Sequence, residues 1–292
     1  MREIFAPLDG TKAAETALPW IAYAAKRTAA RVCLFSVLPI EASDGETAAR
    51  EAYLQAHQRT LEAQGVRAEI ELASGEPAQR IVARALRTDL TVMTSGTVRW
   101  VVSAVLDRVL RDLEGPLVVV RTTPGELNVP PDPEKILVPL DAVSYSSQVL
   151  PVVTGLAAGL RSSVVLCHIV SPIGGYQTVE QAPPGIARTM GEWLEESHEF
   201  MSKAAAGLSA AGIDVETVTA MGDPQQQIVR LAKTCGAGLI AMATRGRDSL
   251  EQRVMGSVAN HVLDKTSIPC LLLRREAQAP ATADTGSGRV PA

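Results

Sequence analysis

The chain repeats itself, and that repeat constrains its architecture more than any other feature. Ile4-Phe5-Ala6-Pro7-Leu8-Asp9 returns as Ile136-Leu137-Val138-Pro139-Leu140-Asp141, and Gly75-Glu76-Pro77 returns as Gly222-Asp223-Pro224. Pro116-Leu117-Val118-Val119-Val120-Arg121 returns as Pro269-Cys270-Leu271-Leu272-Leu273-Arg274. The spacing between copies grows from 132 (Asp9 to Asp141) through 147 (Pro77 to Pro224) to 153 (Pro116 to Pro269), so the second copy carries two insertions. One lies between Asp141 and Gly222, and a smaller one between Pro224 and Pro269. Self-similarity on this scale means two domains of one kind. They occupy residues 1–122 and 134–275, joined by a Pro-rich linker at 123–133. The Ala, Pro, Thr, Gly and Ser composition of 276–292 gives a tail with little to bury, expected to be disordered.

Within each copy, short apolar runs alternate with segments of helical period. In the second copy strands are expected near 135–140, 163–170, 213–220, 237–243 and 269–274. Helices are expected near 145–160, 190–211, 224–235 and 256–266, with Pro224 suited to a first helical turn. Strand-helix alternation implies α/β domains with parallel, doubly wound sheets. Only 3% of residues are aromatic while 46% are hydrophobic, so the core is aliphatic, as suits strands covered by helices on both faces. The fold expected is two tandem five-stranded parallel sheets, each of order 3-2-1-4-5 with flanking helices, related by a pseudo-twofold axis. The apolar final strands, Leu117 to Val120 and Cys270 to Leu273, would be exposed edges unless they pair within the chain. That intramolecular pairing is expected, and a homodimer stays open.

Several function classes fall away. A formal charge of −4 lacks the basic excess of a general nucleic-acid binder. No uncharged apolar run reaches membrane-spanning length and no signal peptide is visible, so the expected location is the cytoplasm. Cys33, Cys167, Cys235 and Cys270 are widely spaced, three of them inside apolar runs, which reads as buried small hydrophobes rather than a zinc site. The GxGxxA pattern at Gly236 to Ala241 precedes a strand and so lies in the wrong context for a dinucleotide fold. P-loop, HExxH and GxSxG patterns are absent, and no catalytic residue is assigned.

In an open parallel sheet, ligands bind beyond the carboxyl ends of the strands where strand order reverses, here between strands 1 and 4. Pro139-Leu140-Asp141 ends strand 1 of the second copy, and Ala243-Thr244-Arg245-Gly246 ends strand 4. Nine residues later Gly256-Ser257 opens the last helix. Glycine allows close approach of backbone amides to a phosphate, and a helix start supplies unpaired amides, to which the Ser257 hydroxyl adds a donor. Arg245 and Arg247 could pair with phosphates. The insertion from Ser171 to Gly191 follows strand 2 on this side and is a candidate lid.

The segment Ala243-Thr244-Arg245-Gly246, nine residues, Gly256-Ser257-Val258-Ala259 resembles the GxxGx9G(S/T) signature of the universal stress proteins. The Pro-Leu-Asp, Gly-Asp-Pro and Ile-Pro-Cys-Leu-Leu-Leu landmarks are similar to that family as well, twice over nearly the whole chain. The resemblance implies that Asp141 and Ile169 flank adenine and ribose, while Gly246, Gly256, Ser257 and Val258 hold phosphates. Ala243 departs from the signature, standing where its first glycine would be. In the first copy Asp9 and Val37 match the adenine side, but Ser103-Ala104 replaces Gly-Ser, so no phosphate cradle is expected there. The expected cofactor is ATP, with Mg2+ as an accompanying ion that Asp141 could help bind. The expected role is stress sensing or regulation through a protein partner. An ATP-hydrolysing enzyme and a nucleotide-free interaction module are the rivals.

Overall fold

The computed structural model describes residues 1–95, 103–121, 134–141, 146–171, 179–244 and 255–274. The first half contains strands β1 (Glu3–Pro7), β2 (Arg31–Leu38), β3 (Ala68–Ser74), β4 (Leu90–Thr94) and β5 (Pro116–Val120). Its helices are α1 (Lys12–Glu15), α2 (Leu18–Thr28), α3 (Asp44–Ala63), α4 (Pro77–Ala85) and α5 (Ala104–Asp112). The second half contains β6 (Lys135–Leu140), β7 (Ser163–Val170), β8 (Val215–Met221), β9 (Leu239–Thr244) and β10 (Cys270–Arg274). With these alternate α6 (Leu150–Leu160), α7 (Pro184–Ala210), α8 (Pro224–Thr234) and α9 (Ser257–Lys265), and 3-10 turns at Ser146–Val149 and Val179–Gln181.

The expected strands are displaced by two residues at most, whereas two helices differ more: the one expected at 145–160 becomes a 3-10 turn at Ser146–Val149 followed by α6 from Leu150. Expected from 190, α7 starts at Pro184, six residues earlier, with Pro183 as its N-cap. Proline fits that position because the first helical turn has no carbonyl waiting for its missing N–H. Part of the presumed lid, from Pro184 to Gly191, is therefore helix, and residues 172–178 of it lie outside the described set.

The strand order is β3-β2-β1-β4-β5-β10-β9-β6-β7-β8. Each half has the order 3-2-1-4-5, and the halves join edge to edge into one ten-stranded sheet. All pairs within a half are parallel, whereas β5 and β10 run antiparallel, with Val118 opposite Leu271 and Val119 opposite Cys270. The seam removes both apolar edges from water.

Side chains alternate between two cores, as the period of a strand requires. Ile4, Leu34, Ile136 and Leu166 face the layer of α2, α3, α6 and α7, while Phe5, Phe35, Leu137 and Val165 face α4, α5, α8 and α9. Across the seam α2 packs on α6, and there Gly159 is needed for closeness: a Cβ would stand 2.7 Å from Thr28 Cγ2. Arg121 crosses from the first half to donate from Nη1 to the carbonyls of Leu263, Asp264 and Thr266 at the C-terminal end of α9. Its counterpart Arg274 meets Glu114 at 3.4 Å, but its Nε and Nη1 are buried without a partner among the described residues. Cys33, Cys167 and Cys270 are buried as expected, and burial pushes each thiol up to about 12.

The repeated Gly-acid-Pro motif builds the same turn twice. Gly75 and Gly222 have φ of +129° and +137°, a region that favours glycine, and their amides donate to the carbonyls of Leu38 and Val170. Glu76 and Asp223 then cap α4 and α8 by accepting from amides of the first turn, and Pro77 and Pro224 open the helices.

Candidate functional site

Strands 1 and 4 of each half part at their carboxyl ends. β6 pairs with β9 only at Ile136–Leu239 and Leu137–Ile240, although the strands continue to Leu140 and Thr244. β1 and β4 likewise pair only at Ile4–Leu90 and Phe5–Thr91. Crossover connections diverge to opposite sides at this position, which leaves a crevice bounded by strand ends.

In the second half Asp141 stands directly after β6. Its backbone is fixed by Ser146, whose Oγ accepts from the Asp141 amide at 3.1 Å and donates to the Asp141 carbonyl at 2.8 Å. The exposed Asp141 carboxylate has no partner among the described residues. Sequence reasoning missed Ser146; the only available signal was a hydroxyl five residues beyond the strand-end aspartate. His168 Nδ1 lies 2.7 Å from the Leu140 carbonyl, so it carries the proton and donates. Its ring meets Phe200 of α7 edge-on at 6.4 Å, which makes His168 a clasp between strand ends. The half-buried Ile169 packs against the core of the α8–α9 layer, and Pro139 alternates with Leu140 to face that same layer. Ala243 packs against the opposite core and pairs with Leu273 in regular strand geometry, so its backbone has no need of glycine. Arg245, Gly246 and Arg247 lie outside the described residues.

Gly256 is the N-cap of α9, with φ −62° and ψ 155°. Any residue adopts those angles, and no described atom lies within 4 Å of where its Cβ would be. Neither the backbone at Gly256 nor its described neighbours therefore demand glycine. Among the described residues no side chain caps this helix, Ser257 is exposed, and Val258 packs into the core to hold the first turn in place. The unpaired amides carry the positive end of the helix dipole, so the arrangement can receive an anion. Among the described residues no cluster of His, Cys, Asp and Glu could hold a metal ion.

At the same place in the first half, polar groups are engaged within the chain. Ser103 caps α5, its Oγ accepting from the Leu106 amide at 3.1 Å. Asp9 Oδ1 accepts from both the amide and the hydroxyl of Thr11, at 2.9 and 2.6 Å. Ser36 replaces the histidine clasp, donating to the Leu8 carbonyl at 2.6 Å while accepting from Arg50.

The sequence model of the universal stress protein family matches residues 1–121 and again 133–274. Universal stress protein YxiE of Bacillus subtilis is 26% identical over 145 residues, covering 48% of this chain and 98% of its own. Universal stress protein MJ0531 of Methanocaldococcus jannaschii is 28% identical over 145 residues, covering 49% of this chain and 82% of its own. Among solved structures, a universal stress protein from Archaeoglobus fulgidus superposes over 94% of this chain and 98% of its own, with TM-score 0.71 at 18% identity. These two sequence relatives thus match about half the chain, while the Archaeoglobus structure matches both halves together. In repeat, sheet order and sequence, this chain belongs to the universal stress protein family and carries the family's domain twice.

Proposed function

We propose that the second half binds an adenine nucleotide, ATP in the first instance, and that occupancy regulates a protein partner in a cytoplasmic stress response. The observation that carries this reading is Gly256, an uncapped helix start whose glycine neither the backbone angles nor the described neighbours require. A Cβ there would project into the space a phosphate needs. The residues present fit the group. The amides of Gly256, Ser257 and Val258 and the Ser257 hydroxyl are donors for phosphate oxygens, the Asp141 carboxylate can accept from ribose hydroxyls, and Ile169 offers an aliphatic wall to the base. Gly246 and the arginines beside it complete the proposed phosphate grip, with Mg2+ as counter-ion. Bound ATP would supply charge and bulk at the crevice mouth, beside α7, which is the element placed to transmit occupancy.

Calorimetric titration of the full chain with ATP tests the proposal. One site per chain is expected, and Gly256→Val should weaken it roughly tenfold or more while costing about 1 kcal/mol of stability at the N-cap. If ATP binds neither protein and denatured preparations release no nucleotide, the reading fails, and the nucleotide-free interaction module replaces it. Phosphate release that survives purification and is lost in Asp141→Ala would make the protein a hydrolase.

A further inference from the structure

At the opposite end of the first half, a cavity of about 450 Å3 is lined by Arg2, Glu3, Arg31, Arg67, Arg87 and Asp89. The residues form a row across the amino ends of the strands: Arg2 precedes β1, Arg31 opens β2, Arg67 precedes β3, and Arg87 and Asp89 precede β4. Both carboxylates already have donors. Glu3 accepts from Arg31 at 2.8 Å and from Arg84 at 2.9 Å, and Asp89 Oδ2 accepts from the amides of Arg2 and Glu3 at 2.5 and 3.0 Å. Arg84 is held in turn by Glu71 at 2.7 Å, and Arg31 also meets Glu69 at 3.6 Å. The side chains of Arg2 and Arg87 make no hydrogen bond or close ion pair among the described residues, and Arg2 acts only through its charge on Asp89, which already accepts two backbone amides. Arg67 donates one N–H to the Ala29 carbonyl at 3.0 Å and keeps the rest of its fork. What remains unanswered in the cavity is positive.

The second half shows that the fold does not need these arginines. The amide of Arg31 donates to the carbonyl of Arg2 as that of Ser163 donates to Glu134, and the amide of Val32 donates to Arg67 as that of Val164 donates to Asp214. Glu134, Ser163 and Asp214 thus occupy the positions of Arg2, Arg31 and Arg67. The link carrying Arg87 becomes Cys235-Gly236-Ala237-Gly238. The counterpart cavity there is lined by a different set of charges, Arg27, Lys135 and Arg161 with Glu134 and Asp214, and Lys135 is answered by Glu216 at 4.0 Å. Gathering guanidinium groups around one cavity costs repulsion that an anion would relieve.

We infer that the arginine-lined cavity at the amino ends of β1, β2, β3 and β4 binds an oligophosphate anion, at a site separate from the switch-point crevice. Guanidinium forks match phosphate oxygens two at a time, and the volume lies within the roughly 300–1,000 Å3 of small-molecule sites.

The probe is inorganic tripolyphosphate, titrated calorimetrically into the full chain carrying Gly256→Val, so that the proposed nucleotide site contributes little. Saturable binding to one site is expected, weakening as salt rises. Arg2→Ser with Arg87→Ser should reduce affinity roughly tenfold or more, without lowering the melting temperature, since both side chains are exposed. Should the double variant fold poorly, Arg87→Gln alone should still give a severalfold loss. Equal affinity with and without the two arginines overturns the inference. So does tripolyphosphate binding that Gly256→Val abolishes, because the anion would then lie at the switch point.

Discussion

The two halves share a topology, a splayed switch point and the same turn at strand 3, yet they treat the polar groups around that switch point in opposite ways. In the first half Ser103 caps α5 and Thr11 binds Asp9, so one first-turn amide and one carboxylate oxygen are engaged internally. In the second, α9 begins at a glycine with no side-chain cap among the described residues, and Asp141 is held by its backbone while its carboxylate stays without a described partner. The difference teaches that a repeated fold preserves the crevice, whereas a single hydroxyl can close it chemically. An N-cap serine stabilises its own helix by consuming an amide that would otherwise meet a ligand.

The largest effect should come from the seam that makes the halves comparable. Val118 and Leu271 face each other fully buried. Val118→Asp places an unpaired charge there and is expected to cost on the order of 3–5 kcal/mol, read as a fall in the urea midpoint. A loss below about 1 kcal/mol would mean that the halves do not depend on their shared edge.

Next comes the arginine pair at the junction. Arg121→Met removes several charge-assisted bonds to α9 carbonyls and should cost about 1.5–3 kcal/mol, whereas Arg274→Met removes a side chain with two unsatisfied buried nitrogens and should cost clearly less. Equal losses in chemical denaturation would show that the two positions are functionally symmetric.

Gly256→Ser converts the second helix start into the form of the first. A gain of a few tenths of a kcal/mol in stability is expected, together with a weaker grip on ATP. Unchanged ATP affinity in the serine variant would break the contrast between the halves.

The smallest effect concerns the capping acids. The amides of α4's first turn, that of Gln79 foremost, hold the Glu76 carboxyl below its ordinary value. The folded state thus favours the ionised form, so this contribution is present above the carboxylate range and is lost as pH falls through it. Glu76→Gln should flatten the acid limb of the melting-temperature profile slightly, and an unchanged limb would remove the cap from the account.

Much of this was legible in the sequence. The repeat, the apolar strands and the Gly-acid-Pro turns depend on local chemistry: apolar runs that must be buried, glycine at positive φ, proline where no donor is needed. The early start of α7 was not, because Pro183-Pro184-Gly185 reads as a loop until tertiary packing supplies a helix for Pro184 to open. At the site, the positions of Asp141, Ile169 and Gly256 could be placed from spacing and family resemblance. The roles of Ser146 and His168 could not, since each acts on a backbone carbonyl that only the folded strand ends bring within reach.

By itself the sequence determined two α/β domains, their internal strand order, and edges too apolar to be left in water. The tertiary structure alone decided the register in which those edges meet, Val118 opposite Leu271, and that an arginine of the first half clasps the last helix of the second. Hydrophobic period and turn chemistry are written over neighbouring residues. Whether the Arg121 guanidinium or the His168 ring meets a carbonyl depends on distances between residues remote in the chain, and those are set only when the sheet closes.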